Sequence, residues 1–123
     1  MIEALLGSTG KEQVLVYIYA REEGYAKEIA DFWERSLFPI QRQLDNLEFA
    51  RVLVRKQYGR TNIYRLDPRY FLYEELRAIL KKTIGAYSDD LRERLVKNRR
   101  RPRIKGKPIV WMKDIKRAGE TNK

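Results

Sequence analysis

The chain has 123 residues, 43% of them hydrophobic and 11% aromatic, which suits one domain with a modest core. It contains no cysteine and no histidine, so a disulfide framework, thiolate or imidazole metal sensing, and any catalytic set built on Ser-His-Asp or Cys-His are excluded. The net charge of +10 is localised: residues 1–90 carry 14 basic and 14 acidic side chains, whereas residues 91–123 carry 13 and 3.

Two further absences bear on class. The string Gly7-Ser8-Thr9-Gly10-Lys11 is too short for a phosphate-cradling loop, so no cofactor is expected and the chain does not read as an enzyme. No apolar run approaches a membrane-spanning length, and MIEALLGSTGKE, with Glu3 and no basic n-region, does not read as a signal peptide. With no cysteine, a reducing cytoplasm is the expected location.

Taken in chain order, the periodicities predict a short helix over residues 2–6 and a second that begins at a Thr9-Gly10-Lys11-Glu12 capping box and buries Val14, Leu15 and Ile18. Next come two helices with apolar faces at helical spacing, Tyr25, Ala26, Ile29, Ala30 and Trp33 on the first and Leu37, Ile40, Leu44 and Leu47 on the second. They are expected to pack on each other as a helix-turn-helix, with small Ala30 at the close crossing.

The outward face of the second helix decides its chemistry. At about 100° per residue, the side opposite Ile40, Leu44 and Leu47 carries Phe38, Gln41, Arg42, Asp45 and Phe49. Arg forks onto the O6 and N7 of guanine and Gln onto the N6 and N7 of adenine, so Gln41 and Arg42 are candidate base readers, with Phe38, Pro39 and Asp45 beside them. Asp45 can accept from cytosine N4, orient Arg42, or repel phosphate. The plain alternative is a solvated helix face.

Two apolar strands follow, Val52-Leu53-Val54 and Ile63-Tyr64-Arg65-Leu66, separated by RKQYGRTN with Gly59 as the hairpin signal. Between Arg51 and Leu66 there are five basic residues and no acidic one. Arg55, Lys56, Arg60, Thr61 and Asn62 are the candidate contacts to a DNA backbone or minor groove. An edge hairpin whose charges only block aggregation is the alternative.

Asp67-Pro68 is expected to start a long helix with an apolar stripe of Leu72, Leu76, Ile79, Leu80 and Thr83, ending near Gly85. Ser88-Asp89-Asp90 then caps a further helix through Leu91 and Leu95 to about Lys97. Either that helix and the Trp111 segment cover the stripe, or a second copy does; the dimer is the favoured reading.

The strings GYAKEIA, PIQRQLDNLE and GRTNIYRLDPRYFLYEELRAIL resemble prokaryotic winged-helix transcriptional regulators of the ArsR-like type, over residues 2–84. The resemblance implies a mainly α fold with a small β-hairpin wing. It further implies sequence-specific binding to double-stranded DNA by a homodimer, with recognition helices about 34 Å apart on a near-palindromic site. Residues 1–85 would be the DNA-binding domain with its long C-terminal helix, and residues 86–123 a helical extension and basic tail. Some members of the group stand beside nucleotidyltransferase domains, which this chain lacks, so a free regulator is expected. Two departures stand out: the inter-helix turn is Glu34-Arg35-Ser36 where the group favours Gly, and Phe38 stands where Ser tends to cap the recognition helix, with Pro39 expected at the first helical position.

Between Lys97 and Pro108 there are seven basic residues and no acidic one, and Pro102 and Pro108 bar a continuous helix. Arg99, Arg100, Arg101, Arg103, Lys105 and Lys107 are candidate DNA contacts of an arm. A solvated extension and a contact to an acidic partner remain open. The apolar cluster Ile109, Val110, Trp111, Met112 and Ile115 reads as a segment that folds back or docks on a protein partner. The runner-up function is a protein-interaction or antitoxin-like module on a winged-helix scaffold, and RNA binding comes third.

Overall fold

Five consecutive buried residues, Val14 to Ile18, sit in the middle of one helix, and this helix is the axis on which the rest is assembled. A helix that is apolar on all sides must be surrounded. In the computed structural model, which describes residues 1–97, six helices and one two-stranded antiparallel hairpin are present among those residues, so the described fold is mainly α. The elements are α1 (Glu3–Leu6), α2 (Thr9–Arg21), α3 (Ala26–Trp33), α4 (Leu37–Phe49), β1 (Leu53–Tyr58), β2 (Thr61–Leu66), α5 (Tyr73–Ala86) and α6 (Asp89–Lys97). The basic tail from Arg99 to Lys107 and the apolar cluster around Trp111 lie outside the described residues.

α2 starts one residue earlier than expected. Ser8, in extended backbone, accepts the Lys11 amide at 3.0 Å and is the cap, so Thr9 and Glu12 form no capping box. Glu12 is buried and takes other donors instead: the Met1 amine at 3.0 Å, the Ile2 amide at 2.9 Å and the Tyr87 hydroxyl. A buried carboxylate needs such donors to offset its lost hydration, and these tie α1 and the α5–α6 junction to α2. Desolvation, with Glu12 beside it, holds the Tyr87 phenol well above the usual tyrosine range, so this bond keeps its proton on the tyrosine.

At the other end of α2, buried Arg21 donates through Nε to the Leu95 carbonyl at 2.8 Å and through Nη2 to the Arg94 carbonyl at 2.9 Å. Its Nη1 donates to the Tyr17 hydroxyl at 2.8 Å, and the guanidinium stacks over the Tyr17 and Phe32 rings. The last-turn carbonyls of a helix have no partners within it, and a cation there also meets the negative end of the dipole. Arg21 thereby locks α6 onto α2, with Leu95 fully buried in the common core.

α3 and α4 are joined by the three-residue turn 34–36. Glu34 adopts the left-handed conformation (φ 56°, ψ 49°) that glycine would take most readily, and the Arg35 amide closes onto the Ala30 carbonyl at 2.9 Å. The missing glycine therefore leaves the turn short, at a cost in backbone strain. α4 begins at Leu37 with Ser36 as its N-cap, although the Ser36 side chain makes no capping bond. Phe38 and Pro39 are the second and third residues of the helix rather than the cap and the first residue. Pro39 is still tolerated, because amides in the first turn have no partner to lose. Ile29 and Ala30 of α3 meet Ile40, Leu44 and Leu47 of α4 in the core, as the spacing predicts, whereas Leu37, expected on the same face, is exposed at the first turn of α4.

The hairpin is longer and tighter than its apolar residues suggest. Pairing runs from Leu53–Leu66 to Tyr58–Thr61, leaving only Gly59 and Arg60 in the turn, with Gly59 at φ +62°. The middle of β2 is tied down by a bridge in which the Gly24 and Tyr64 amides and carbonyls exchange bonds of 3.0 and 2.8 Å. A Cβ on Gly24 would lie 2.9 Å from Tyr17 Cε1, and Tyr17 is itself fully buried. Gly24→Ala is therefore expected to lower stability by about 1–3 kcal/mol through overpacking. A melting midpoint equal to the parent's would show that this junction yields freely.

α5 starts later than Asp67-Pro68 predicts. The Asp67 carboxylate accepts the Arg69 amide at 2.9 Å and the Arg69 guanidinium at 3.2 Å, so it closes a local turn instead of capping a helix. Of the expected stripe, Leu80 and Thr83 are buried, Leu76 is half-buried, and Leu72 and Ile79 remain exposed. Ser88 caps α6 as expected, accepting the Leu91 amide at 3.2 Å. No helix among the described residues is long and apolar enough to cross a membrane.

Candidate nucleic-acid interface

The outer face of α4 follows from burial of its inner one. With Ile40, Leu44 and Leu47 in the core, Phe38, Arg42, Asp45 and Phe49 are exposed, Phe38 at 68% and Phe49 at 90%. Gln41 and Pro39 are half-buried at its edge. The Arg42 guanidinium lies 5.8 Å from the Phe38 ring centroid, at the outer limit of a cation–π contact. Near the N-terminal end of α4 the structure thus groups an aromatic ring, a guanidinium and an amide.

Two bonds hold the hairpin beside this face. Gln41 Nε2 donates to Asp45 Oδ1 at 2.9 Å, one turn along the helix, and to the Tyr64 hydroxyl of β2 at 3.3 Å. Arg55 of β1 pairs with Glu48 of α4 at 3.6 Å. Desolvation pushes the Tyr64 phenol above its ordinary value, partly offset by the Gln41 bond, so the hydroxyl stays neutral through the physiological range. Asp45 is thus engaged with Gln41 and not with Arg42.

Side chains alternate across a pleated ribbon, and this divides the candidate hairpin residues. The cross-strand pairs Arg55–Tyr64 and Gln57–Asn62 share one face, the one turned to α4. Lys56, opposite Ile63, and Thr61, opposite Tyr58, belong to the other. Arg60 is exposed at the tip. The structure therefore brings Phe38, Gln41, Arg42 and Asp45 together on α4 with Arg55 beside them, puts Asn62 on the same face of the hairpin as Arg55, and sets Lys56 and Thr61 on the reverse side. Arg99, Arg100, Arg101, Arg103, Lys105 and Lys107 lie outside the described residues.

Tyr64 and Glu48 are the residues that sequence reasoning passed over. Tyr64 reads there as one apolar position of a strand, and nothing in its neighbours signals a bond to a residue 23 positions away. Glu48 has a weak signal, as the acidic residue of α4 nearest in sequence to the basic hairpin. No family model matches the chain, and neither a curated protein nor a solved structure matches it.

Proposed function

We propose that this protein is a winged helix-turn-helix regulator that binds double-stranded DNA in a sequence-specific manner, with α4 entering the major groove and the β1–β2 hairpin acting as its wing. The observation that carries this reading is the exposed Phe38, Arg42 and Asp45 face, with half-buried Gln41 at its edge, of a helix packed in the core on its other side and braced by a basic hairpin through Gln41–Tyr64 and Glu48–Arg55. The resemblance to ArsR-like regulators points the same way. Arg42 is the direct reader of guanine in this arrangement, and the Phe38 ring supplies an apolar contact of the kind a thymine methyl accepts. Arg60 at the hairpin tip and the basic residues beyond Lys97 would neutralise phosphates. The exposed Leu72 and Ile79 of α5 are compatible with pairing of two copies, and the cytoplasm is the proposed location.

Selection of bound sequences from random duplexes tests this reading. Arg42→Ala is expected to weaken binding to the selected site by about 1–3 kcal/mol and to relax preference at one base pair. Unchanged preference in that variant removes Arg42 from the reading head.

A second reading rests on Phe38 and Phe49, two of the most exposed large apolar side chains of the described residues, both on α4. Large exposed aromatics also suit a protein interface, as in an antitoxin-like partner module. Affinity for duplex DNA that does not respond to salt, or no such affinity, would favour it.

A further inference from the structure

Gln41 has an amide of fixed polarity. Its nitrogen lies 2.9 Å from Asp45 Oδ1, and a carboxylate only accepts, so the amide cannot turn over without setting two acceptor oxygens against each other. The second N–H of the same nitrogen points to the Tyr64 hydroxyl at 3.3 Å. An amide nitrogen has two protons to give, and both are placed. The carbonyl oxygen of Gln41 makes no hydrogen bond of its own among the described residues.

Bidentate reading of adenine by glutamine requires one donor, to N7, and one acceptor, from the N6 amine. With both donors held inside the protein, only the acceptor half is left. In the major groove the groups that donate to it are the exocyclic amines, N6 of adenine and N4 of cytosine, whereas guanine O6 and N7 and thymine O4 are acceptors that would repel it. We infer that Gln41 is a specificity-determining acceptor: Asp45 and Tyr64 hold its side chain so that it selects an amine-bearing base, adenine or cytosine, and discriminates against guanine and thymine at one position. This rests on the proposed DNA reading and narrows it, replacing the expected adenine fork with a single acceptor contact.

The arrangement also accounts for Asp45, an acidic residue on a face meant to approach a polyanion. Its charge spends one lone pair on Gln41 and fixes which atom of the amide is offered. Tyr64 does the same from the hairpin, so hairpin and reading helix are coupled through one side chain. A displaced hairpin would release the second amide proton.

The test uses the full chain and duplexes selected by it. Comparing the sites selected by the parent and by Gln41→Ala locates the base pair that Gln41 reads, and an amine-bearing base is expected there on the contacted strand. In duplexes with adenine at that position, purine, which lacks the 6-amine, is expected to bind roughly 5-fold more weakly, the effect of one lost hydrogen bond of about 1 kcal/mol. 7-Deazaadenine, which lacks the N7 acceptor, is expected to bind like adenine. In the double variant Asp45→Ala, Tyr64→Phe the amide is released, and sensitivity to 7-deazaadenine should then appear. This is a readout that loss of packing alone would not produce, since it compares two duplexes on one protein. A parent that already discriminates against 7-deazaadenine, or that prefers guanine or thymine at the Gln41 position, overturns the inference while leaving DNA binding standing. A parent with no sequence preference among duplexes overturns the proposed function along with it.

Discussion

Leu44→Ala is expected to destabilise the fold by about 2–5 kcal/mol, the range for emptying a well-packed leucine site. Leu44 is 0% exposed and lies in the middle of the inner face of α4, between Ile40 and Leu47, where α4 rests on α2 and α3. Both neighbours are anchored elsewhere: α2 by its all-round burial, and α3 through Trp33 Nε1, which donates to the Gln13 carbonyl of α2 at 3.1 Å. Neither can move in to fill the void, so the cavity term adds to the lost transfer energy. Domains of this size are stable by only about 5–15 kcal/mol, so the variant should melt far below the parent. Denaturant titration is the check, with a lower midpoint and an unchanged slope expected. A midpoint within error of the parent's would mean that α4 faces the core through other residues.

The success of the Leu44 assignment and the failure at Asp67 have the same root. Ile40, Leu44 and Leu47 recur at helical spacing, and a stripe of that kind has one use, so periodicity alone places it correctly. Asp67 has two local uses, capping a helix or closing a turn on the Arg69 amide, and the sequence Asp-Pro-Arg fits both. Glu12 is a similar case. Three residues after Thr9 it satisfies the capping-box spacing, but the groups that claim it, the Met1 amine and the Tyr87 hydroxyl, arrive from distant parts of the chain. The apolar pattern ends the first strand at Val54 because Arg55, Lys56 and Gln57 show no apolar alternation; their strand conformation is set by pairing with β2 and not by their own burial. For the candidate site, the outer residues of α4 were legible as the complement of its buried stripe. The polarity of Gln41 was not, because it depends on Tyr64 and on the register that brings Tyr64 there.

The largest functional effect is expected from the part of the chain where the charge lies. The chain up to residue 90 has equal numbers of acidic and basic side chains, so the basic residues of the hairpin are offset elsewhere in it, and this part as a whole brings little long-range attraction to a polyanion. Preference can come from α4, but long-range attraction has to come from residues 91–123, where basic residues exceed acidic ones by 13 to 3. Replacing Arg99, Arg100, Arg101 and Arg103 together by Gln keeps the length and polarity of the segment and removes four charges. If each meets one phosphate, the slope of log affinity against log salt should fall by about 3–4. Between about 50 and 200 mM salt the parent should then lose on the order of 100-fold more affinity than the variant. The loss should be the same for selected and random duplexes, and the sequence preference proposed for Arg42 and Gln41 should survive. Sedimentation of the variant separates this from a change in assembly, since the apolar cluster around Trp111 follows closely in the chain. A variant of unchanged oligomeric state that keeps both the affinity and the salt slope of the parent would show that the basic segment does not touch DNA and that its charge serves an acidic protein partner instead.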